Sequence, residues 1–101
     1  MYLVQVLLPL ADNDGNEFPE NALHGIQAEL HKLFGGLTAY TRAPAKGSWT
    51  HGGAEHKDDI VVIEVMAEML DKNWWRKFRK RLEKLLHQNT VVVRAQKIIA
   101  L

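Results

Sequence analysis

Apolar residues follow two different periods along the chain, and the change of period marks its elements. Residues 2–10 form a nearly continuous run of Leu and Val in which Gln5 is the only polar side chain. Such a run predicts a strand that is buried on both faces and central in its sheet. Residues 59–66 are rich in β-branched side chains, are too short for a helix and contain one polar position inside the run, Glu64. They predict a second strand.

Two further segments carry apolar residues at helical spacing. Phe18-Pro19-Glu20 predicts the start of the first helix, because proline suits the first helical position, and Gly35-Gly36 predicts its end. Asp71 is a good N-cap for the second helix. The two stripes have the same spacing at an offset of 52 residues. They consist of Leu23, Ile26, Leu30, Leu33 and Phe34 in the first helix and Trp75, Phe78, Leu82, Leu85 and Leu86 in the second.

The remaining segments predict two more strands. Residues 37–43 alternate loosely and predict a strand that Pro44 and Gly47 interrupt, with residues 48–50 resuming it at a sheet edge. Residues 51–58, which contain Gly52-Gly53, predict a long polar turn. Residues 90–101 predict the last strand. The predicted element order is therefore β-α-β-β-α-β.

Composition narrows the class of protein. The chain has 101 residues, which predicts one domain over residues 1–101. Its 47% hydrophobic and 25% charged residues are typical of soluble globular proteins and exclude a disordered or low-complexity chain. The absence of cysteine excludes a disulfide scaffold, a thiolate nucleophile and a sulfur-ligated zinc site, and it is typical of a cytoplasmic protein. No apolar run reaches the roughly 20 residues that a membrane span needs.

The element order favours an α+β fold, the ferredoxin-like βαββαβ sandwich, with two helices on one face of a four-stranded antiparallel sheet. In topology and length, over nearly the whole chain, the sequence resembles the small ferredoxin-like families and, among them, the dimeric α+β-barrel superfamily. No motif accompanies this resemblance. It implies a homodimer formed through the sheet face that the helices leave open, with a barrel-like interior and no cofactor.

The period of two assigns the strand residues to that open face. In the usual strand order of this fold, Gln5 lies between Glu64 and Arg94, which gives a short polar line on an apolar surface. One interpretation is a small-ligand pocket with Glu64 and Arg94 as candidate catalytic groups and Tyr40 and Arg42 supplied by the neighbouring strand. The other interpretation is a hydrogen-bonded pair that only fixes the register of a dimer interface.

Charge is distributed unevenly and supports an alternative function. Residues 1–71 hold four basic and eleven acidic residues, whereas residues 72–101 hold nine basic residues and Glu83 as the only acid. The second helix carries much of this positive charge, with Arg76, Lys80 and Lys84 on its polar side. Such a face predicts a binding module for nucleic acid or an anionic surface. The competing explanation is that the two halves fold together and their charges interleave.

Histidine and acidic clusters do not predict a metal site. His51 and His56 flank the Gly-Gly turn close to acidic residues of the 51–59 segment, but polar turns of this kind are usually only solvated. His24 and His31 are separated by about 10.5 Å along a helix and cannot share an ion. Residues 12–16 resemble the start of a calcium loop, but Leu23 stands where the final Glu is needed. We therefore predict no bound metal.

Overall fold

The computed structural model has six elements in the predicted order. They are β1 (Tyr2–Pro9), α1 (Glu20–Phe34), β2 (Thr38–His51), β3 (Ala54–Ala67), α2 (Lys72–Leu85) and β4 (Val92–Lys97). The structure describes residues 1–11, 16, 18, 20–51 and 53–101, and only the backbone of residues 20, 41–47, 49–51 and 54–58.

The sheet confirms the ferredoxin-like prediction. Its four strands lie in the order β2-β3-β1-β4, and every neighbouring pair is antiparallel. Both helices pack on one face, because alternate side chains of β1 and β3 form a single buried cluster with them. The side chains of this core are Val4, Val6 and Leu8 of β1, Val61, Ile63 and Val65 of β3, Ile26 and Leu30 of α1, Trp75, Phe78 and Leu82 of α2, and Leu86 and Val91 beside them.

Burial within the chain corrects two details of the prediction. The opposite face of β1 is only half-buried, so β1 is central but is not covered on both sides by its own chain. Leu33 and Leu85, which occupy equivalent positions in the two stripes, are 54% and 55% exposed. Each lies in the last turn of its helix at the edge of the stripe, where Phe34 and Leu86 turn towards the core instead.

The predicted polar turn over residues 51–58 is wrong. β2 runs to His51 and β3 starts at Ala54, and these two residues pair across a two-residue connection. Gly53 takes a φ of 80°, which a tight hairpin turn accommodates easily. Backbone pairing does not depend on apolar side chains, so the polar sequence continues as a strand ribbon. A register shift between Tyr40 and Ala45 accommodates the interruption predicted near Pro44.

The two helices end in the same left-handed conformation but use different residues. Gly35 has a φ of 80° and donates its backbone N–H to His31 O at 2.8 Å. At the equivalent place in α2, His87 has a φ of 51°, and the N–H of Gln88 reaches Glu83 O at 2.9 Å. The bond of Gln88 is that of the Schellman motif and the single bond of Gly35 is that of the αL motif, and in both motifs the left-handed residue is usually glycine.

His87→Gly is therefore expected to stabilise the chain. The substitution removes the Cβ penalty at the left-handed position and should raise the free energy of unfolding by roughly 0.5–1 kcal/mol. Urea unfolding measures the change. His87→Val is the control and should destabilise the chain, because a β-branched residue resists this conformation; equal stability of the Gly and Val variants would contradict the assignment.

Glu83, the only acidic residue after position 71, links α2 to Val91, the residue just before β4. Its Oε2 accepts the backbone N–H of Val91 at 2.8 Å and lies 3.4 Å from Nη1 of Arg79. Because its side chain is only 16% exposed, Glu83→Ala leaves a partly buried donor without its partner. We expect a loss of about 1–3 kcal/mol in the free energy of unfolding, with Glu83→Gln, which keeps an oxygen acceptor, losing less than half of this. If urea unfolding gave equal losses of stability for Glu83→Ala and Glu83→Gln, the stabilisation would come from the charge of Glu83 and not from its hydrogen bond to Val91.

Candidate functional site

The face of the sheet away from the helices is mainly apolar and open to solvent. Its half-buried side chains include Leu3 and Leu7 of β1 and Val62 of β3. Met66 of β3 is 55% exposed and Val92 of β4 is 45% exposed. A continuous apolar surface of this kind usually marks an interaction or ligand site.

A line of hydrogen-bonded polar side chains crosses this apolar face. Gln5 is paired in register with Glu64 on one side and with Arg94 on the other. Its Nε2 donates to Glu64 Oε2 at 2.6 Å, and its Oε1 accepts from Arg94 Nε at 2.8 Å. The hydroxyl of Tyr40 donates to Glu64 Oε1 at 3.1 Å. We call Arg94, Gln5, Glu64 and Tyr40 the polar line, and each comes from a different strand.

The polar line has a carboxylate near one end and a cation at the other. Gln5 uses both ends of its amide and so holds Glu64 and Arg94 in fixed positions relative to each other. Each oxygen of Glu64 already accepts one hydrogen bond and can accept another from a ligand. The Nη groups of Arg94 can donate as well. The placement of Gln5 between Glu64 and Arg94 is confirmed, whereas a role in catalysis or binding stays a prediction.

Glu64 changes the acidity of Tyr40. The hydrogen bond to the carboxylate, then its negative charge, and last desolvation raise the pKa of the Tyr40 phenol above its ordinary value of 10.0. A raised pKa means that the folded chain holds this proton more tightly than the unfolded chain. The stabilisation from this contact is therefore complete below about pH 10 and is lost as the pH rises through the higher folded-state pKa.

We expect the absorbance of the tyrosinate to reveal this shift. In a titration followed near 295 nm, the difference between the native chain and Tyr40→Phe isolates the Tyr40 phenol. Its midpoint should lie above 10.0 and should fall when Glu64→Gln removes the negative charge. An unchanged midpoint in the Glu64→Gln chain would show that the carboxylate does not control this proton.

Two recesses lie beside the polar line. The larger, of about 420 Å³, is bounded by Leu3, Glu64, Met66 and Thr38 and by the Gly35–Gly36 connection after α1. The smaller, of about 80 Å³, is lined by Leu3, Gln5, Arg94, Ala95 and Gln96. Sequence reasoning missed Thr38, which is paired with Glu64, although its position at the start of β2 could have indicated it. Arg42 lies in β2, and its side chain is outside the described part of the structure.

The polar side of α2 remains a second candidate surface. Arg76, Lys80 and Lys84 are all exposed. Other bases of this helix are engaged within the chain: Arg81 pairs with Glu29 of α1, and its Cζ lies 5.2 Å from the centre of the Phe78 ring. The Arg81 pair shows that charges of the two halves interleave in part. Binding of nucleic acid or an anionic surface by this helix stays a prediction.

The described residues contain no group of three or more His, Cys, Asp or Glu placed to hold a metal ion. The side chains of His51, His56 and the acids between them lie outside the description, as do residues 12–15 of the calcium-loop resemblance. Within the same described part of the chain, no helix is long and apolar enough to cross a membrane.

Known structures share this fold. No protein-family model matches the chain, and no curated protein matches it. A phage SAM lyase in complex with S-methyl-5'-thioadenosine has a TM-score of 0.64 and 18% identity, covering 95% of this chain and 80% of that one. The phage SAM lyase in its apo state has a TM-score of 0.64 and 16% identity, covering 94% and 78%. At these identities the similarity establishes the fold alone.

Proposed function

We propose that this chain binds a small charged ligand at the polar line, and that two copies of the chain pack their open sheet faces together around it. The observation that carries this proposal is the hydrogen-bonded array of Arg94, Gln5, Glu64 and Tyr40 on an otherwise apolar surface. Specific polar groups within an apolar surround are typical of small-ligand sites. A second copy would cover the apolar side chains and exclude water from the array.

The two ends of the polar line favour a ligand that carries both charges. Neighbouring strands are about 4.8 Å apart, so the strands that hold Glu64 and Arg94, with β1 between them, are separated by roughly 10 Å. S-Adenosylmethionine has a sulfonium, an ammonium and a carboxylate group. Its cations suit the Glu64 carboxylate, and its carboxylate suits the Arg94 guanidinium.

S-Adenosylmethionine is also the ligand that the structural comparison supports. The similar phage protein is a SAM lyase by name, and its structure contains S-methyl-5'-thioadenosine. We extend the proposal to a cofactor-independent enzyme that cleaves S-adenosylmethionine. In that reaction a carboxylate oxygen of the substrate would attack its own γ-carbon, and the bond from that carbon to the sulfonium would break with its electron pair leaving on sulfur, which gives neutral S-methyl-5'-thioadenosine and a lactone of the remaining amino acid. Glu64 would face the sulfonium, and Arg94 would hold the carboxylate of the substrate.

Calorimetric titration tests the binding proposal. S-Adenosylmethionine and S-methyl-5'-thioadenosine are titrated separately into the full chain, and the mixtures are then analysed chromatographically for newly released S-methyl-5'-thioadenosine. Saturable binding of S-adenosylmethionine supports the ligand site, and catalytic release of the thioether supports the enzyme. Binding without turnover would restrict the function to a binding protein, and absence of binding by both compounds would reject this ligand class.

A further inference from the structure

A separate cleft lies on the helix-covered side of the sheet, between the start of α2 and the edge strand β4. Its volume is about 240 Å³. Core side chains of Val4 and Trp75 line it together with the partly buried Leu70 and Val93 and with Ala95. Arg94 and Ala95 of β4 also line the smaller recess beside the polar line, but Val4 and Gln5 point to opposite faces of β1, so the body of the cleft lies on the other side of the sheet.

The cleft is strongly basic. Lys72 and Arg76 line it, as does Arg94, whose Nε already donates to Gln5 Oε1 in the polar line; no acidic residue of the described chain lines the cleft. Lys72 and Arg76 are four residues apart on α2, so they lie on the same side of the helix. The nearest acid in sequence, Asp71, is engaged as the N-cap, since its Oδ1 accepts the backbone N–H of Trp74 at 3.0 Å. The positive charges at the cleft therefore have no carboxylate beside them in its lining.

We propose that this cleft binds a small organic anion, with one carboxylate or phosphate group and a flat apolar part. The anionic group would contact Lys72 and Arg76, and the apolar part would lie against the partly buried side chains of Leu70 and Val93, which line the cleft together with Trp75. The volume corresponds to roughly eight water molecules at about 30 Å³ each, which is enough for a single substituted ring. The cleft shares Arg94 with the polar line, but the proposed contacts with the anionic group are made by Lys72 and Arg76, so the proposal does not require a ligand at the polar line.

The same helix provides a charge-matched control. Lys80 and Lys84 are exposed basic residues of α2, but neither lines the cleft. A diffuse attraction between a basic helix and an anion would weaken equally when any one of these charges is removed. At a specific binding site in the cleft, the affinity for the anion would depend on Lys72 and Arg76 and would not change when Lys80 is removed.

Phenyl phosphate is the probe. Inorganic phosphate and phenol, which correspond to its anionic and apolar parts, are titrated separately for comparison. In amide NMR titrations of the full chain, phenyl phosphate should shift the signals of residues 72–76 and the indole N–H of Trp75 in a saturable manner. Lys72→Ala and Arg76→Ala should each weaken binding by about fivefold or more, and Lys80→Ala by less than about twofold. Phenyl phosphate should also bind more tightly than either half.

Three results would overturn the proposal. The first is that Lys80→Ala and Arg76→Ala weaken the binding of phenyl phosphate equally. The second is that the chain binds phenyl phosphate and inorganic phosphate with equal affinity. The third is that the shifts caused by phenyl phosphate do not saturate up to about 10 mM. The amide spectrum of each variant establishes that it is folded before the titration. Lys72 and Arg76 lie outside the polar line, so these variants should leave S-adenosylmethionine binding unchanged, and failure at one site does not imply failure at the other.

Discussion

Glu64→Ala is expected to lower the affinity for S-adenosylmethionine about 100-fold while the chain stays folded. The carboxylate is the only negative charge of the polar line and receives hydrogen bonds from Gln5 and Tyr40. Loss of a charge-assisted contact of this kind costs about 1.5–3 kcal/mol. The side chains of Gln5 and Tyr40 are not fully buried, so water can replace the lost partner in the variant.

Two further variants separate the effect of the Glu64 charge from the effect of removing any acidic residue from the chain. Glu64→Gln keeps the size of the side chain and should lose most of the affinity, because the negative charge is removed. Glu68→Ala removes an exposed acid just after β3 and should bind as the native chain does. Calorimetry gives the affinities and urea unfolding gives the stabilities. Equal binding by Glu64→Ala and Glu68→Ala would contradict a ligand site at Glu64.

The Met66→Lys and Val92→Lys double variant is expected to convert a dimer into a monomer. Both residues belong to the open face and are 55% and 45% exposed within a single chain, so the replacements should not disturb the core. Face-to-face packing of two copies would bring the new charges into an apolar interface, where unpaired charge is strongly unfavourable. Light scattering after size-exclusion chromatography measures the mass directly.

The matched control places the same charges elsewhere. Met69 and Ile99 are 84% and 87% exposed and lie outside the four strands. The Met69→Lys and Ile99→Lys double variant should keep the mass of the native chain. A native chain that runs as a monomer at low and high salt would contradict the dimer itself, and dissociation by both double variants would point to an interface elsewhere.

Hydrophobic periodicity was sufficient to predict the layered fold. The Val and Ile positions of β3 and the common spacing of the two helical stripes placed the core correctly, because burial against a sheet selects alternate strand residues and one helical face. The position of Gln5 between Glu64 and Arg94 followed from strand order and the period of two. Antiparallel pairing then aligned the three residues in one row.

Other features depend on interactions that a linear pattern does not contain. The polar residues after His51 predicted a turn, yet backbone pairing and Gly53 extend the hairpin there. Leu33 and Leu85 matched the helical period, but the end of each helix leaves them in solvent. The contact of Tyr40 with Glu64 is diagonal, because Thr38 is the register partner of Glu64 and Tyr40 is paired with Val62, and sequence alone does not fix this register.

The most direct measurement is an NMR titration that follows the side chains of the polar line themselves. The Nε2 amide of Gln5 and the Nε–H of Arg94 give separate signals in a ¹⁵N-labelled chain, and S-adenosylmethionine is added stepwise. We predict that both signals shift in a saturable manner together with the backbone amide of Glu64, and that Glu64→Gln moves the midpoint of these shifts to a much higher concentration of S-adenosylmethionine. Shifts confined to α2, or no saturable shift at Gln5 and Arg94, would contradict a ligand site on the open face.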